Sequence, residues 1–457
     1  MDKAAANHKK MTETPVGKLI LMLGIPTTIS MLITNIYNLA DTYFVGTISI
    51  EAQAATSVLF TLQCIIQAVS FMFGQGAGTH VAKSLADNDT KKASEYTATA
   101  FYLGIVLGII LLTFGLIFLG PFVEMLGSSK NALADSKEYG MWILLSAPFL
   151  IGSIVLNNVL RFEGKAMFSM IGLVTGGLLN IFGDYVFIMI MGMGTRGAGL
   201  STAISQVISF AILLILFIKY CQSKLHPKYI ARELKTYFQI CRAGFPSLIR
   251  QGLTAISNGI LNNLCKPYDD AAVAAMGIVN RYSNFILCVG IGIGQGFQPV
   301  AAYNYRIKKY NRVKKGLIFT TVCSTIAVAV LAVFGLIIPD KLVYLFNSNE
   351  AVINAGTKAM RYMSIGIIFV PICVSTNMLY QSTRQAEIAS FLALLRSGLV
   401  FIPLILILEP AIGFLAIEIS MPISHIAAGI ISLPFLLYFI YKTPNDGSES
   451  NEIIENR

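Results

Sequence analysis

Two carboxylates stand in strongly apolar surroundings: Asp41 in YNLADTYFVG and Asp184 in LLNIFGDYVFI. On insertion scales an Asp at the centre of a membrane-spanning helix costs about 2.5–3.5 kcal/mol, so the two together cost about 5–7 kcal/mol if ionised and facing lipid. They must therefore face an interior. Helical spacing gives each a polar neighbour, because Tyr37 lies one turn before Asp41 and Asn180 one turn before Asp184 on the same face. Asn157 and Thr202, on apolar segments of their own, add donors and acceptors. Carboxylates held together away from water lose hydration and repel one another, and both effects favour uptake of positive charge. A proton satisfies them. So does a hard cation such as Na+, for which Asp41, Asn180 and Asp184 offer oxygen ligands. The competing reading is a hydrogen-bonded knot that only fixes helix packing.

What makes these residues anomalous is the composition around them. The chain has 457 residues, 55% hydrophobic and 13% charged, with a mean hydropathy of +0.68. A soluble domain carries about 25% charged residues, so this is an all-α polytopic membrane protein whose partner is the bilayer. Windows long enough to span fall at Leu19–Val45, Ala52–Val81, Ala93–Leu119, Tyr139–Leu160, Ala166–Met191 and Gly197–Ile218. Six more follow at Tyr237–Leu264, Ala271–Tyr303, Lys315–Ile338, Val352–Tyr380, Ile388–Leu408 and Ile412–Tyr441. With both termini cytoplasmic, inner segments hold roughly four times the Lys and Arg of outer ones, Arg161 and Lys165 among them.

The net charge of +10 is spread over many short loops, which argues against a nucleic-acid partner. Seven cysteines without metal-ligand or disulfide spacing read as packing. The polar start up to Lys18 has no small-residue cleavage site, so no cleaved leader is expected. There is no HExxH, GxSxG or Walker sequence, which argues against an enzyme and for transport driven by an ion gradient. GQGAG lacks the lysine of a phosphate loop.

The sequence also repeats itself. LGIP at Leu23–Pro26 returns as AGFP at Ala243–Pro246, and GQG at Gly74–Gly76 returns at Gly294–Gly296, both shifted by 220 (244 − 24 and 294 − 74). MLGSS at Met125–Ser129 faces LFNSN at Leu345–Asn349 in the same frame, which then slips to 223, pairing Pro148 with Pro371 and Arg161 with Arg384. Six helices per copy is an even number, so both copies enter the membrane in one direction. The expected plan is twelve transmembrane helices in two six-helix lobes related by a pseudo-two-fold axis along the membrane normal. The lobes are expected at residues 1–220 and 237–442, with a cytoplasmic linker at 221–236 and a cytoplasmic tail at 443–457. Pro26 and Pro246 interrupt the first helix of each copy and can bend it.

The copies differ in charge. Leu261 stands opposite Asp41, and in the slipped frame Pro403 and Ile407 stand opposite Asn180 and Asp184. The second copy holds Arg250, Arg281 and Arg396, with Glu418 and His425 on one face of the last helix. These form either an ion network or part of a substrate path.

LGIPTTISMLITNIYNLADTYFVG, GQGAGTHVAKSLADND, LNNVLRFEGKAMFSMIG, LLNIFGDYVFI and GAGLSTAIS together resemble the multidrug and toxic compound extrusion (MATE) family over almost the whole chain. The likeness is greatest to the DinF-like or a related prokaryotic branch, because the NorM-like branch is expected to carry carboxylates where this chain has Asn258, Asn262 and Asn377. The resemblance implies a plasma-membrane antiporter that takes Na+ or H+ inward and drives bulky, cationic, amphipathic drugs outward. It implies an ion site of Asp41, Asn157, Asn180, Asp184 and Thr202, lined by Tyr37, with bending of the first helix at Pro26. A monomer with no cofactor beyond the coupling ion is expected. The alternative within the superfamily is a flippase for a lipid-linked oligosaccharide, for which Arg250, Arg281 and Arg361 would line the cavity.

Overall fold

The computed structural model describes residues 3–125, 131–265, 267–268, 270–383 and 385–446. Among them the regular structure is helical, with no strand. The first lobe consists of α1 (Val16–Gly46), α2 (Ile50–Ala86), α3 (Thr90–Ile117), α4 (Leu133–Phe162), α5 (Ala166–Ile190) and α6 (Gly194–Tyr220). The second consists of α7 (Leu234–Cys265), α8 (Asp270–Arg306), α9 (Tyr310–Ile337), α10 (Glu350–Ile367 continued by Val370–Ser382), α11 (Ala386–Ile412) and α12 (Phe414–Lys442). Most helices outrun the expected windows by a turn or more, because polar residues at the ends continue the helix after the apolar run stops.

Ten of these are long and apolar enough to cross a membrane on their own. α10 qualifies as a bent pair, turned by 43° just before Pro371, whose missing N–H breaks the ladder. α7 has the length but not the hydropathy, since it carries Lys235, Arg242 and Arg250.

The lobes meet along two seams, α1 against α8 and α2 against α7, which the repeat makes equivalent. A Cβ on Gly24 would lie 3.1 Å from the Cα of Ile293, and one on Gly76 would lie 3.1 Å from the amide of Gly244. Gly296 in turn packs on the backbone of Gly24, and Gly244 on that of Met72. Small residues let these backbones touch. Both seams lie toward the end that carries the N-terminus. Arg161 spans this closed region. It is 1% exposed and donates to Gln295 of α8 and, at 2.6 Å, to Asn158. The sequence had placed it among the solvated loop cations, and the interface takes it inward instead. Away from the seams, Gly252, Gly259 and Gly277 have no neighbouring atom within 4 Å of a Cβ position, so nothing packs against α7 and α8 at those points.

The slip of the repeat to 223 is corrected by the helices themselves. α4 and α10 end at Phe162 and Ser382, and α5 and α11 begin at Ala166 and Ala386, all 220 apart. Asn157 donates to the carbonyl of Ser169 at 3.1 Å, and Asn377 donates to that of Ala389 at 2.5 Å. Both residues of the second bond lie 220 beyond those of the first. Residues 126–129 of the expected pairing, Arg384 and residues 447–457 of the tail lie outside the described residues.

Candidate ion-binding site

Four helices converge in the first lobe. α1 brings Asp41, α4 Tyr139, α5 Asn180 and Asp184, and α6 Ser201 and Thr202. Tyr139 Oη donates to Asp41 Oδ2 at 2.9 Å. Asn180 Nδ2 donates to Thr202 Oγ1 at 3.2 Å and to Ser201 Oγ at 3.4 Å, and Ser201 Oγ donates back to the Asn180 carbonyl at 2.9 Å. Asp184 is 0% exposed, and its charge and that of Asp41 act on one another. Immediately after Asp184 the helix widens into a π turn, Tyr185–Ile190, a rare feature that concentrates at functional sites.

Four oxygens in this cluster are inaccessible and accept no hydrogen bond among the described residues: Asp41 Oδ1, Asn180 Oδ1 and both Oδ atoms of Asp184. Buried acceptors are ordinarily satisfied, and an all-oxygen set of two carboxylates and an amide suits a proton or a hard monovalent cation. No group of three His, Cys, Asp or Glu side chains gathers anywhere among the described residues, so this is not a transition-metal donor set.

Of the expected residues, Asp41, Asn180, Asp184 and Thr202 come together. Tyr37 is half-buried beside Asp41, its ring edge against Gly177 of α5. Pro26 is buried in α1 fifteen residues before Asp41 (41 − 26). It lines a cavity of about 750 Å3 with Lys10, Lys18, Phe168 and Phe319. α1 runs unbroken through it, with Thr27 and Ser30 hydroxyls on the carbonyls of Leu23 and Pro26 at 2.8 and 2.9 Å.

Asn157 does not join them. Eighteen residues separate it from Tyr139 on α4 (157 − 139), about 27 Å of helix rise, and its amide is committed to Ser169. Depth along a neighbouring helix could not be judged from apolar windows whose true starts lie up to six residues earlier. Tyr139 and Ser201 were missed. Tyr139 sits at the polar edge of its window, where a tyrosine reads as an interface anchor, and Ser201 lies beside the more conspicuous Thr202.

In the second lobe, Arg250 Nη1 donates to Asn377 Oδ1 at 2.9 Å and Nη2 to Ser247 Oγ at 3.4 Å. Arg396 donates to Thr254 Oγ1 at 3.4 Å. Among the described residues Arg250, Arg281, Arg396, Glu418 and His425 form no ion pair, so the ion network is not what they build.

The chain matches the MatE family model twice, over residues 26–186 and 246–407. The two matches start 220 residues apart (246 − 26), the offset of the repeat. The multidrug export protein MepA of Staphylococcus aureus strain MRSA252 is 27% identical over 448 residues, 97% of this chain and 98% of that protein. MepA of Staphylococcus saprophyticus is 24% identical over 426 residues, 92% of this chain and 93% of that one. Among solved structures, a MATE protein in complex with MaL6 superposes with a TM-score of 0.90 at 21% identity, covering 96% of this chain and 99% of that one. An outward-facing MATE family transporter of the MOP superfamily superposes at 0.89 and 22% identity, covering 95% and 98%. With both halves of the repeat matched by one family, on the two-lobe fold those structures share, the chain belongs to the MatE family.

Proposed function

We propose that this protein is a secondary active multidrug exporter of the plasma membrane, in which Na+ or H+ moving inward drives bulky, cationic, amphipathic compounds outward. The observation that carries this reading is the set of four inaccessible oxygens on Asp41, Asn180 and Asp184 without a donor. The names of the Staphylococcus relatives, multidrug export proteins, support the substrate class. The confinement of the Asp41 and Asp184 pair to the first lobe, without counterparts at the equivalent positions of the second, agrees with the DinF-like or a related prokaryotic branch. Both termini are cytoplasmic in this reading, so the glycine seams seal the inner end and the lobes part toward the outside, where the coupling ion enters.

Binding of the ion neutralises the carboxylates, with Tyr139 holding Asp41 and the Ser201 and Thr202 hydroxyls turning the Asn180 amide so that its oxygen faces the pocket. α1 carries Asp41 at one end and Pro26 near the other. A helix weakened at a proline has two shapes of similar energy, and an ion that prefers one of them shifts the population. The drug and the ion then compete through the shape of α1. No other cofactor takes part, and one chain holds the whole path. A flippase would present Arg250, Arg281 and Arg361 to the central cavity; Arg250 is 7% exposed and committed to Asn377 and Ser247, while Arg281 and Arg361 are exposed.

The test reconstitutes the protein in vesicles, imposes a Na+ or a pH gradient separately, and follows efflux of a cationic dye. Asp41→Asn and Asp184→Asn are each expected to lower gradient-driven efflux by the size of a typical coupling, about 5–150-fold, with folding intact by size-exclusion profile. Undiminished efflux in both variants would refute the coupling role.

A further inference from the structure

The second lobe encloses a narrow cleft between α7, α8, α11 and α12 whose lining residues are mostly polar, with Leu287 and Met421 among them, and include no acid. Thr254 and Asn258 come from α7, Asn280 and Asn284 from α8, Arg396 from α11 and His425 from α12. α11 forms a π turn here, Leu395–Val400, and its loosened carbonyls are taken by neighbours. Ser424 donates to the carbonyl of Arg396, and Ser257 donates to that of Ser397 at 2.5 Å. The turn is thus pinned from α7 and α12, and it aims Arg396 into the lobe.

Arg396 is poorly satisfied. Nη2 reaches Thr254 Oγ1 at 3.4 Å, and that hydroxyl's own proton goes to the carbonyl of Arg250 at 2.8 Å. Nη1 is inaccessible and has no partner among the described residues, and the same is true of Nδ1 of His425, which is 2% exposed. Arg250 lies close enough to Arg396 for their charges to oppose one another, and Arg396 also acts on His425. The one carboxylate on α12, Glu418, faces Lys358 instead. The half-buried guanidinium of Arg396 and the buried imidazole of His425 therefore share the cleft with no acid among its described lining residues to balance the charge. An arginine cannot relieve this by losing its proton, and amide and hydroxyl dipoles alone leave the charge uncompensated. What completes such a site is an anion. The cleft is narrow and its remaining donors are single N–H and O–H groups, which match one charge of small radius better than a diphosphate.

We propose that the second lobe binds one small monovalent anion, a halide or a carboxylate, between the guanidinium of Arg396 and the ring of His425, with Asn280 and Asn284 at the mouth. This site is independent of the ion site in the first lobe and does not rest on the exporter reading. A free chloride and the carboxylate of a zwitterionic transport substrate share the required chemistry.

The experiment uses the full-length protein in nanodiscs, titrated with sodium chloride while sodium gluconate, too large for the cleft, holds ionic strength constant. Binding is followed by thermal unfolding and by the 35Cl line width. Wild type is expected to show a saturable rise in Tm and saturable broadening. Arg396→Gln is expected to weaken the apparent affinity at least about ten-fold, the 1.4 kcal/mol that a charge-assisted bond readily supplies. Arg396→Lys, which keeps the charge and loses the fork, should fall between, and it reads the site if Arg396→Gln does not fold. Asp41→Asn should bind chloride as wild type does, so failure of the first-lobe site leaves this result untouched. Competition by sodium acetate, the smallest stable carboxylate that carries a methyl group, would identify a carboxylate as a ligand, and chloride binding without competition would identify the free ion. Absence of saturable binding by either anion, or equal binding in all three proteins, would overturn the proposal.

Discussion

In the first lobe the π turn of α5 begins right after Asp184, and in the second the π turn of α11 contains Arg396. The two helices are copies of one another, yet the turns are out of step. In the frame of 220, residues 185–190 correspond to 405–410, whereas the second turn occupies 395–400. Asp184 of one lobe and Arg396 of the other therefore do not stand at equivalent positions on these equivalent helices. The seams behave in the opposite way. Gly24 and Gly244, Gly76 and Gly296, and the bonds Asn157 to Ser169 and Asn377 to Ala389 all keep the register. Symmetry survives where the lobes fit each other and is lost where the first gathers Asp41 and Asp184 and the second Arg250 and Arg396.

Three groups of substitutions sharpen this contrast. The largest effect is expected from Tyr139→Phe, which removes a hydrogen bond to a charged group without a counterpart in the second lobe. A loss of about 1.5–3 kcal/mol would weaken coupling-ion binding by about ten-fold or more, read as the half-saturating ion concentration in vesicle efflux. Next come the seams. Gly24→Leu should lower stability by about 1–3 kcal/mol, and Gly244→Leu by more, since a Cβ at Gly24 would only press on the Ile293 Cα at 3.1 Å whereas one at Gly244 would overlap the Met72 carbonyl oxygen. Gly252→Leu, facing open space on the same helix as Gly244, should stay within about 0.5 kcal/mol. An effect at either Gly24 or Gly244 no larger than that at Gly252 in thermal unfolding would break the role claimed for the seams. Smallest is the asparagine pair. Asn157→Ala should cost about 0.5–1.5 kcal/mol and leave the ion dependence of efflux unchanged. Asn377→Ala should cost more, because it also strands the guanidinium of Arg250.

Much of this was written in the sequence in a form that physical chemistry could read. Apolar runs located the helices, and the cost of an ionised carboxylate in lipid singled out Asp41 and Asp184. Spacing along one helix set Asn180 beside Asp184 and Tyr37 beside Asp41, and the structure keeps them there, because four residues is one turn whatever the tertiary structure. Judgements between helices fared worse. Asn157 has the right chemistry at the wrong height, and Tyr139 has the right height but lies at a window's edge. Arg161 reads as a loop cation until Gln295 is placed against it from the other lobe. The repeat frame of 223 arose from aligning Pro148 with Pro371, although α10 has three residues more than α4 before the frame closes at the helix ends. The π turns leave no mark that a periodicity of 3.6 detects.

The paired glycine seams also say something about origins. An ancestor of half this length, associating as a two-fold dimer, would have met its partner through both seams at once, so every change at one glycine would have been felt twice. Such a dimer could not have been acidic on one side and basic on the other, since a single gene wrote both. Fusion of the two copies released that constraint, and opposite charge in the two lobes is a freedom only the fused chain could use.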